Sequence, residues 1–310
     1  MFKINQVKMT TIVFPGQGSQ SVGMTKDFHD NFKIAQSAFE EIEDYTKINI
    51  RKIIFENDDN KLDLTQFTQI CIFASSYVIF ETYSSEKNLN IENINVMMGH
   101  SLGEYSALAC SKKISLKECS LILKERGELM NTAVTPNETG MAAIIGKNSF
   151  EIQDIIKSNK LNIEIANDNS PLQVVISGMK SEIIKSKDVF LNNNIKRFVD
   201  LNVSAAFHSK FMIDAQKKLS TSIEKLIFKE NDINIISNYD ANLHNNTSSI
   251  KNNLQNQMAN TVKWTDSVKK LEEIGENKII EIGPNKVLSS LINRISKNFD
   301  IKSINQISDL

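Results

Sequence analysis

An apolar run, Ile94-Asn-Val-Met-Met98, passes directly into Gly99-His-Ser-Leu-Gly103, and Glu104-Tyr-Ser-Ala-Leu-Ala109 then continues with helical character. A strand that enters a tight glycine turn and leaves as a helix belongs to a parallel α/β sheet, because parallel strands need a crossover that is usually helical. The five residues fit the G-x-S-x-G elbow, whose glycines allow a strained turn that thrusts the serine hydroxyl outwards. Ser101 is therefore a candidate nucleophile at a helix N-terminus, where the Leu102 amide faces developing negative charge. A chance Gly-Ser turn has the same five letters, so the flanking strand and helix carry the reading.

A second strand and glycine loop stand at Thr11-Ile-Val-Phe14 and Pro15-Gly-Gln-Gly18, and apolar residues at Phe32, Ala35, Phe39 and Ile42 then mark a helix. A dinucleotide fingerprint requires glycine at the position of Ser21, and a phosphate loop requires Gly-Lys before Ser or Thr. Neither is met. A glycine loop at the carboxyl end of a strand still offers backbone amides to an oxyanion, which makes Gln17 a candidate second donor.

A serine hydroxyl needs a general base, and the chain holds four histidines. His100 lies inside the elbow, His29 in a charged stretch and His244 in an Asn-rich loop. His208 is expected at the end of a strand, where α/β sites are assembled, although a structural hydrogen bond is the ordinary role of such a residue. The helix expected over 115–132 carries an apolar stripe of Leu116, Cys119 and Leu123 that continues through Arg126 to Met130. An arginine facing the core requires an anion. Two readings remain open for Arg126: an internal salt bridge, or a guanidinium that holds a substrate carboxylate through two parallel hydrogen bonds.

From Gly140 the rhythm becomes β-α-β-β-α-β, with strands at Met141–Gly146, Leu161–Ala166, Gln173–Ser177 and Arg197–Val203 and helices over 150–159 and 180–191. Strand and helix alternation resumes at Ile233–Ile236, near 262–274, at Ile279–Ile282 and from Val287. The expected fold class is α/β. A large α/β-hydrolase-like domain with a parallel sheet core, residues 1–131 and 206–310, carries an inserted smaller ferredoxin-like (βαββαβ) domain at 132–205. A mostly apolar helix is expected over 65–83, and the Lys-, Asn- and Ile-rich stretches at 84–95 and 241–260 read as solvated loops and polar helix faces.

Of the 310 residues 41% are hydrophobic and 24% charged, which suits a folded globular protein with a sizeable core. Lys plus Arg (36) nearly equal Asp plus Glu (37), so no basic field exists to attract nucleic acid. Cys71, Cys110 and Cys119 are odd in number and form no C-x-x-C pair, so they read as reduced core thiols. The first residues lack the apolar centre of a signal peptide, and no stretch approaches the roughly 20 apolar residues of a membrane span. A cytoplasmic protein is expected, with residues 1–8 a tail or an upstream start of no functional weight.

Taken in order, a further set of motifs narrows the reading. Phe14-Pro-Gly-Gln-Gly-Ser-Gln20, Thr65-Gln-Phe-Thr-Gln69, Gly99-His-Ser-Leu-Gly-Glu104, Arg126-Gly127 and Met141-Ala-Ala-Ile-Ile-Gly146 come first. Asn169-Ser-Pro171, Gln173-Val-Val-Ile-Ser-Gly178, Phe207-His-Ser209, Ser237-Asn238, Val262-Lys-Trp264 and Glu281-Ile-Gly-Pro284 follow. Together they resemble the ordered motif set of malonyl-CoA:acyl-carrier-protein transacylases, over nearly the whole chain. The resemblance implies Ser101 as nucleophile, His208 as base, Arg126 as the clamp on the malonyl carboxylate, and the Gln17 and Leu102 amides as oxyanion hole. It also implies that Gln257 orients the imidazole through its main-chain carbonyl, which accounts for the lack of a clear triad aspartate. Phe207, beside the base, is expected to narrow the space at the substrate's α-carbon. Ala206 stands where the family usually has proline and Asn285 where it usually has glycine, so loop geometry is open at both.

The implied activity moves malonyl from coenzyme A to the phosphopantetheine thiol of acyl carrier protein through a malonyl-serine intermediate, in fatty acid biosynthesis. No metal or other cofactor is expected, no nucleic-acid or membrane partner, and a monomeric state. One rival is an esterase or thioesterase that hands the acyl group to water, against which Arg126 and the inserted unit argue. Another is a catalytically silent acyl-binding protein, against which Ser101 and His208 argue.

Overall fold

The computed structural model describes residues 10–135 and 137–310. The chain opens with β1 (Thr10–Phe14), α1 (Lys26–Asn31), α2 (Lys33–Thr46), α3 (Ile50–Phe55) and α4 (Thr65–Glu86), then β2 (Ile94–Gly99), α5 (Gly103–Cys110) and α6 (Leu116–Thr132). A second group follows: β3 (Thr139–Ile145), α7 (Ser149–Ser158), β4 (Ile163–Ser170), β5 (Gln173–Met179), α8 (Lys180–Asn192) and β6 (Arg197–Asp200). The remainder comprises α9 (Ile213–Glu224), β7 (Asn234–Ile236), β8 (Leu243–His244), α10 (Thr247–Gln257), α11 (Trp264–Glu273), β9 (Lys278–Ile282), α12 (Val287–Ile295) and β10 (Asp300–Ile304).

The first and third groups share one sheet, in the order β10-β9-β1-β2-β7-β8, parallel except for the β7–β8 pair. Its central strands are apolar on both faces, as a sheet covered by helices on each side requires. Ile12, Phe14 and Met97 enter one core cluster while Val13, Val96 and Met98 enter the other, the period-two alternation of a strand. On the first side α4, apolar almost all round and buried along most of its length, packs against α2 and α6. The second group forms an antiparallel sheet of order β4-β5-β3-β6, the ferredoxin-like order. Its own core contains Ile152, Ile155 and Ile156 of α7 with Ile183 and Phe190 of α8. The two sheets are stitched where residues 261–265 run beside β4: the Val262 amide donates to the Ala166 carbonyl at 2.9 Å and the Asp168 amide to the Val262 carbonyl at 3.0 Å.

Several elements differ from the sequence expectation. The strand expected to reach Val203 ends at Asp200, so His208 does not stand at a strand end but in the loop beyond it. The stretch expected as solvated loop and polar helix face at 241–260 holds α10, whose Ile250, Asn253, Leu254 and Gln257 are buried. Asn253 and Gln257 disguise that inner face because their burial is satisfied by hydrogen bonds rather than apolar contact. Ala206 and Asn285 both fit their loops. The Ala206 amide donates to Thr139 Oγ1 at 3.0 Å, a bond proline could not make. Asn285 takes a left-handed backbone (φ 64°), which asparagine tolerates, and its side chain donates to the Ser19 carbonyl at 2.6 Å. Cys71, Cys110 and Cys119 are free and buried. No helix among the described residues is long and apolar enough to cross a membrane. The expectation for residues 1–8 lies outside the described residues.

The carboxyl ends of β1 and β2 interlock. The His100 amide donates to the Phe14 carbonyl at 3.0 Å, and a Cβ added at Gly103 would collide with that same carbonyl oxygen. Gly103→Ala must therefore push the two loops apart. It should lower unfolding stability by about 1–3 kcal/mol, the usual cost of overpacking. Chemical denaturation reads this directly, and an unchanged midpoint would contradict the interlock.

Candidate active site

The two interlocked loops line a cleft of about 380 Å³. Gln17 from the first loop, Ser101 and Leu102 from the second, Arg126 from α6, and Phe207 and His208 from the loop after β6 all reach its wall. Six positions singled out from sequence thus arrive from four separate elements, Leu102 with Ser101 and Phe207 with His208.

Ser101 has φ 52°, the left-handed region that a non-glycine residue enters at a cost of roughly 1–2 kcal/mol. Asn238, just beyond β7, holds it there. The Ser101 amide donates to Asn238 Oδ1 at 2.6 Å, and Asn238 Nδ2 donates to the Gly99 carbonyl at 2.7 Å. One side chain thus pairs both arms of the elbow as a neighbouring strand would. The Asn238 amide in turn donates to the Glu104 carboxylate at 3.0 Å.

His208 also has a left-handed backbone (φ 54°), and its Nε2 lies 2.8 Å from Ser101 Oγ. Its Nδ1 faces two carbonyls, those of Gln257 and Asn260, each at 3.1 Å. Both can only accept, so Nδ1 carries the proton and Nε2 presents a lone pair to the serine hydroxyl. The Gln257 carbonyl is available because it ends α10 and has no partner within the helix. No aspartate takes this role. Asp168 accepts from Ser149 and Thr265, and Asp200 is exposed on β6.

Arg126 is 1% exposed, and the groups it donates to are neutral. Its Nη1 donates to Gln69 Oε1 at 2.5 Å, and its Nη2 to Gln257 Oε1 at 3.0 Å and Ser101 Oγ at 3.1 Å. The guanidinium lies over the Tyr105 ring at 5.4 Å. Among the described residues no carboxylate stands within ion-pair distance of it, so the internal salt bridge left open by the sequence is absent. Its Nε has no hydrogen-bond partner.

Burial, reinforced by the Arg126 charge, lowers the His208 ring to about 3. The ring is thereby kept neutral and basic in form. Burial also pushes the Glu104 carboxyl up to about 7. His100, the histidine inside the elbow, bonds Asn169 Oδ1 at 2.8 Å through Nε2, while His29 and His244 are engaged by Asp30 and Asp240. Asn238, Glu104, Gln69 and Asn260 were given no role from sequence. A signal existed for Glu104: it is the one acidic side chain in a helix of otherwise apolar or small residues apart from Tyr105, which marks a buried group with a fixed partner.

A strained serine bonded to a neutral histidine, beside a buried unpaired cation and at the carboxyl edge of a parallel sheet, is an arrangement able to transfer acyl groups through serine. The family described as acyl transferase domain matches residues 11–308, and the chain belongs to it. A malonyl CoA-acyl carrier protein transacylase of Bacillus subtilis (strain 168) is 34% identical over 288 residues, covering 92% of this chain and 90% of its own. A polyketide biosynthesis malonyl CoA-acyl carrier protein transacylase, PksC, of the same strain is 35% identical over 94% of this chain and 98% of its own. Among solved structures, an acyl carrier protein S-malonyltransferase from Vibrio cholerae superposes with a TM-score of 0.91 at 32% identity, over 97% of this chain and 98% of that one. A malonyl-transacylase in complex with a type II acyl-carrier protein gives 0.92 at 31% identity, over 97% of each chain.

The His208 environment makes a direct prediction. Because the folded ring resists protonation and the unfolded one does not, acid favours unfolding: the His208 contribution to stability is present above about 6.5 and is lost as pH falls towards 3. Nitrogen-resolved NMR at about pH 5 should show the ring neutral with its proton on Nδ1. A doubly protonated ring there would contradict the geometry.

Proposed function

We propose that the protein is a malonyl-CoA:acyl-carrier-protein S-malonyltransferase of fatty acid biosynthesis, acting in the cytoplasm as a monomer. The observation that carries the reading is the placement of an unpaired buried guanidinium within hydrogen-bond reach of the candidate nucleophile, Arg126 Nη2 to Ser101 Oγ at 3.1 Å. An acyl group bearing a free carboxylate supplies the missing anion, and its thioester carbon then lies at Ser101. A plain hydrolase has no use for a cation there.

As Ser101 Oγ attacks the malonyl-CoA carbonyl, its proton passes to His208 Nε2, and the new imidazolium is steadied by the Gln257 and Asn260 carbonyls. The oxyanion is received by the Gln17 and Leu102 amides, both of which border the cleft; the Ser101 amide is already committed to Asn238. Collapse expels the coenzyme A thiolate, which takes the proton from His208 and leaves a malonyl-serine ester. The phosphopantetheine thiol of the carrier protein then gives its proton to His208 and attacks the ester; as the ester C–O bond breaks, His208 returns that proton to Ser101 Oγ and the free serine is restored. The chemistry calls on no metal or redox cofactor, and the kinetics should be ping-pong. Throughout, Arg126 holds the distal carboxylate through paired hydrogen bonds, one of which replaces its present bond to Ser101 while the two glutamines keep the guanidinium in place.

Arg126→Ala tests the assignment. It should lower kcat/KM for malonyl-CoA by about 2–5 kcal/mol in transition-state terms, the cost of truncating one member of a desolvated charge pair. Acetyl-CoA has no carboxylate to leave unpaired, so the two substrates should converge. Parallel losses for both, together with a fallen Tm, would make Arg126 a structural residue. Phe207, buried at the cleft wall, should exclude an α-methyl branch. Malonyl-CoA should then exceed methylmalonyl-CoA by roughly tenfold to two-hundredfold in kcat/KM. Comparable rates with both would remove Phe207 as a selector.

A further inference from the structure

Glu104 is the first acidic residue after the elbow serine, on a helix whose eight residues are all buried and whose other side chains are apolar or small apart from Tyr105. It is 1% exposed, and no cation lies within ion-pair distance among the described residues. A carboxylate buried that way is costly unless its hydrogen bonds are needed. Its Oε2 accepts two: the Asn238 amide at 3.0 Å and Gln257 Nε2 at 2.8 Å.

The second bond matters for what Gln257 does at its other end. A side-chain amide has a donating and an accepting half of nearly the same shape, and only its partners decide which way it faces. Gln257 Nε2 meets the Glu104 carboxylate and the Ser101 carbonyl at 3.0 Å, while Oε1 meets Arg126 Nη2 at 3.0 Å. An ionised carboxylate cannot donate and a guanidinium cannot accept, so one orientation satisfies both ends and the flipped one satisfies neither. Gln69, which holds the other side of Arg126, has no such lock: its Nε2 faces only the weak acceptor Met130 Sδ at 3.2 Å.

We infer that Glu104 is a positioning residue for acyl selection: its carboxylate fixes the direction of the Gln257 amide, and Gln257 thereby holds Arg126 where an incoming acyl carboxylate must be met. The inference rests on the malonyl reading above and adds a residue to it. Glu104 touches no reacting atom and acts through Gln257. The titratable and charged groups that face it are Arg126 from α6, Tyr105 beside it on α5 and Asp240 beyond β7. Protonation turns the carboxylate into a neutral group that can itself donate, so the lock on the amide weakens to the Ser101 carbonyl at one end and Arg126 at the other. With the carboxyl pushed up to about 7 by burial, that change falls near neutral pH.

Glu104→Gln keeps the volume and removes the charge. The kcat/KM for malonyl-CoA should drop roughly tenfold to a hundredfold, the range for losing a hydrogen bond to a charged group. Acetyl-CoA should lose much less, because it does not use Arg126. The malonyl-to-acetyl ratio of the parent protein should also fall as pH drops through about 7, and in Glu104→Gln it should be flat. An unchanged ratio in the variant, or equal losses for both thioesters, would overturn the relay and leave the transferase reading standing. Should the variant not fold, Glu104→Asp, which keeps the charge but shortens the reach to Gln257, decides by the same ratio: a loss selective for malonyl-CoA supports the relay and an unchanged ratio overturns it. Absence of any malonyl transfer by the parent protein would overturn the transferase reading and the relay together.

Discussion

A full positive charge buried beside a serine hydroxyl, with no carboxylate within ion-pair distance among the described residues, is the constraint on which the rest of the site depends. The guanidinium of Arg126 is held by two glutamine side chains and by Ser101 itself, all neutral. Such an arrangement is expensive for folding, since a desolvated ion repays its cost only with a counter-charge or complete hydrogen bonding. Complete bonding is missing, because Nε has no partner. The charge also adds to burial in keeping His208 unprotonated, so in the proposed reaction the group that meets the anionic substrate also keeps the proposed base in its reactive form. The states of Arg126 and His208 are therefore set together.

The fold makes this tolerable by meeting the site from every side with fixed elements. β1 and β2 lie next to each other in the sheet, so their glycine loops interlock and bring Gln17 and Leu102 to one cleft. Asn238, from the neighbouring β7 side, holds the strained elbow. The end of α10 supplies a carbonyl to His208 and an amide to Arg126 from a single residue. Gln257 is thus the point at which Ser101, His208 and Arg126 share a support, since its Nε2 also meets the Ser101 carbonyl. The β6–α9 loop brings in Phe207 and His208 with a backbone that the Thr139 hydroxyl ties down through Ala206.

What the sequence discloses follows the range of each interaction. The elbow was legible because strand, turn and helix are consecutive. The ferredoxin-like rhythm and the core-facing position of Arg126 were legible because they depend on local period. The placement of His208 was not: its strand ends early, and a left-handed loop residue followed by a short helical turn carries no periodic signal. Nor was the burial of α10, whose inner face uses Asn253 and Gln257 where an apolar stripe would have announced it. Asn238 and Asn260 act through contacts more than forty residues distant in the chain, and nothing local marks them.

The central claim is that Ser101 carries the acyl group between two thiols. Incubating the protein with malonyl-CoA and recording its intact mass tests it most directly, with peptide mapping to locate the addition and holo-carrier protein to remove it. The account predicts a gain of one malonyl group, located on Ser101, absent from Ser101→Ala and discharged to the carrier thiol. A stable protein that gains no mass, acquires it elsewhere, or releases it only to water would contradict it.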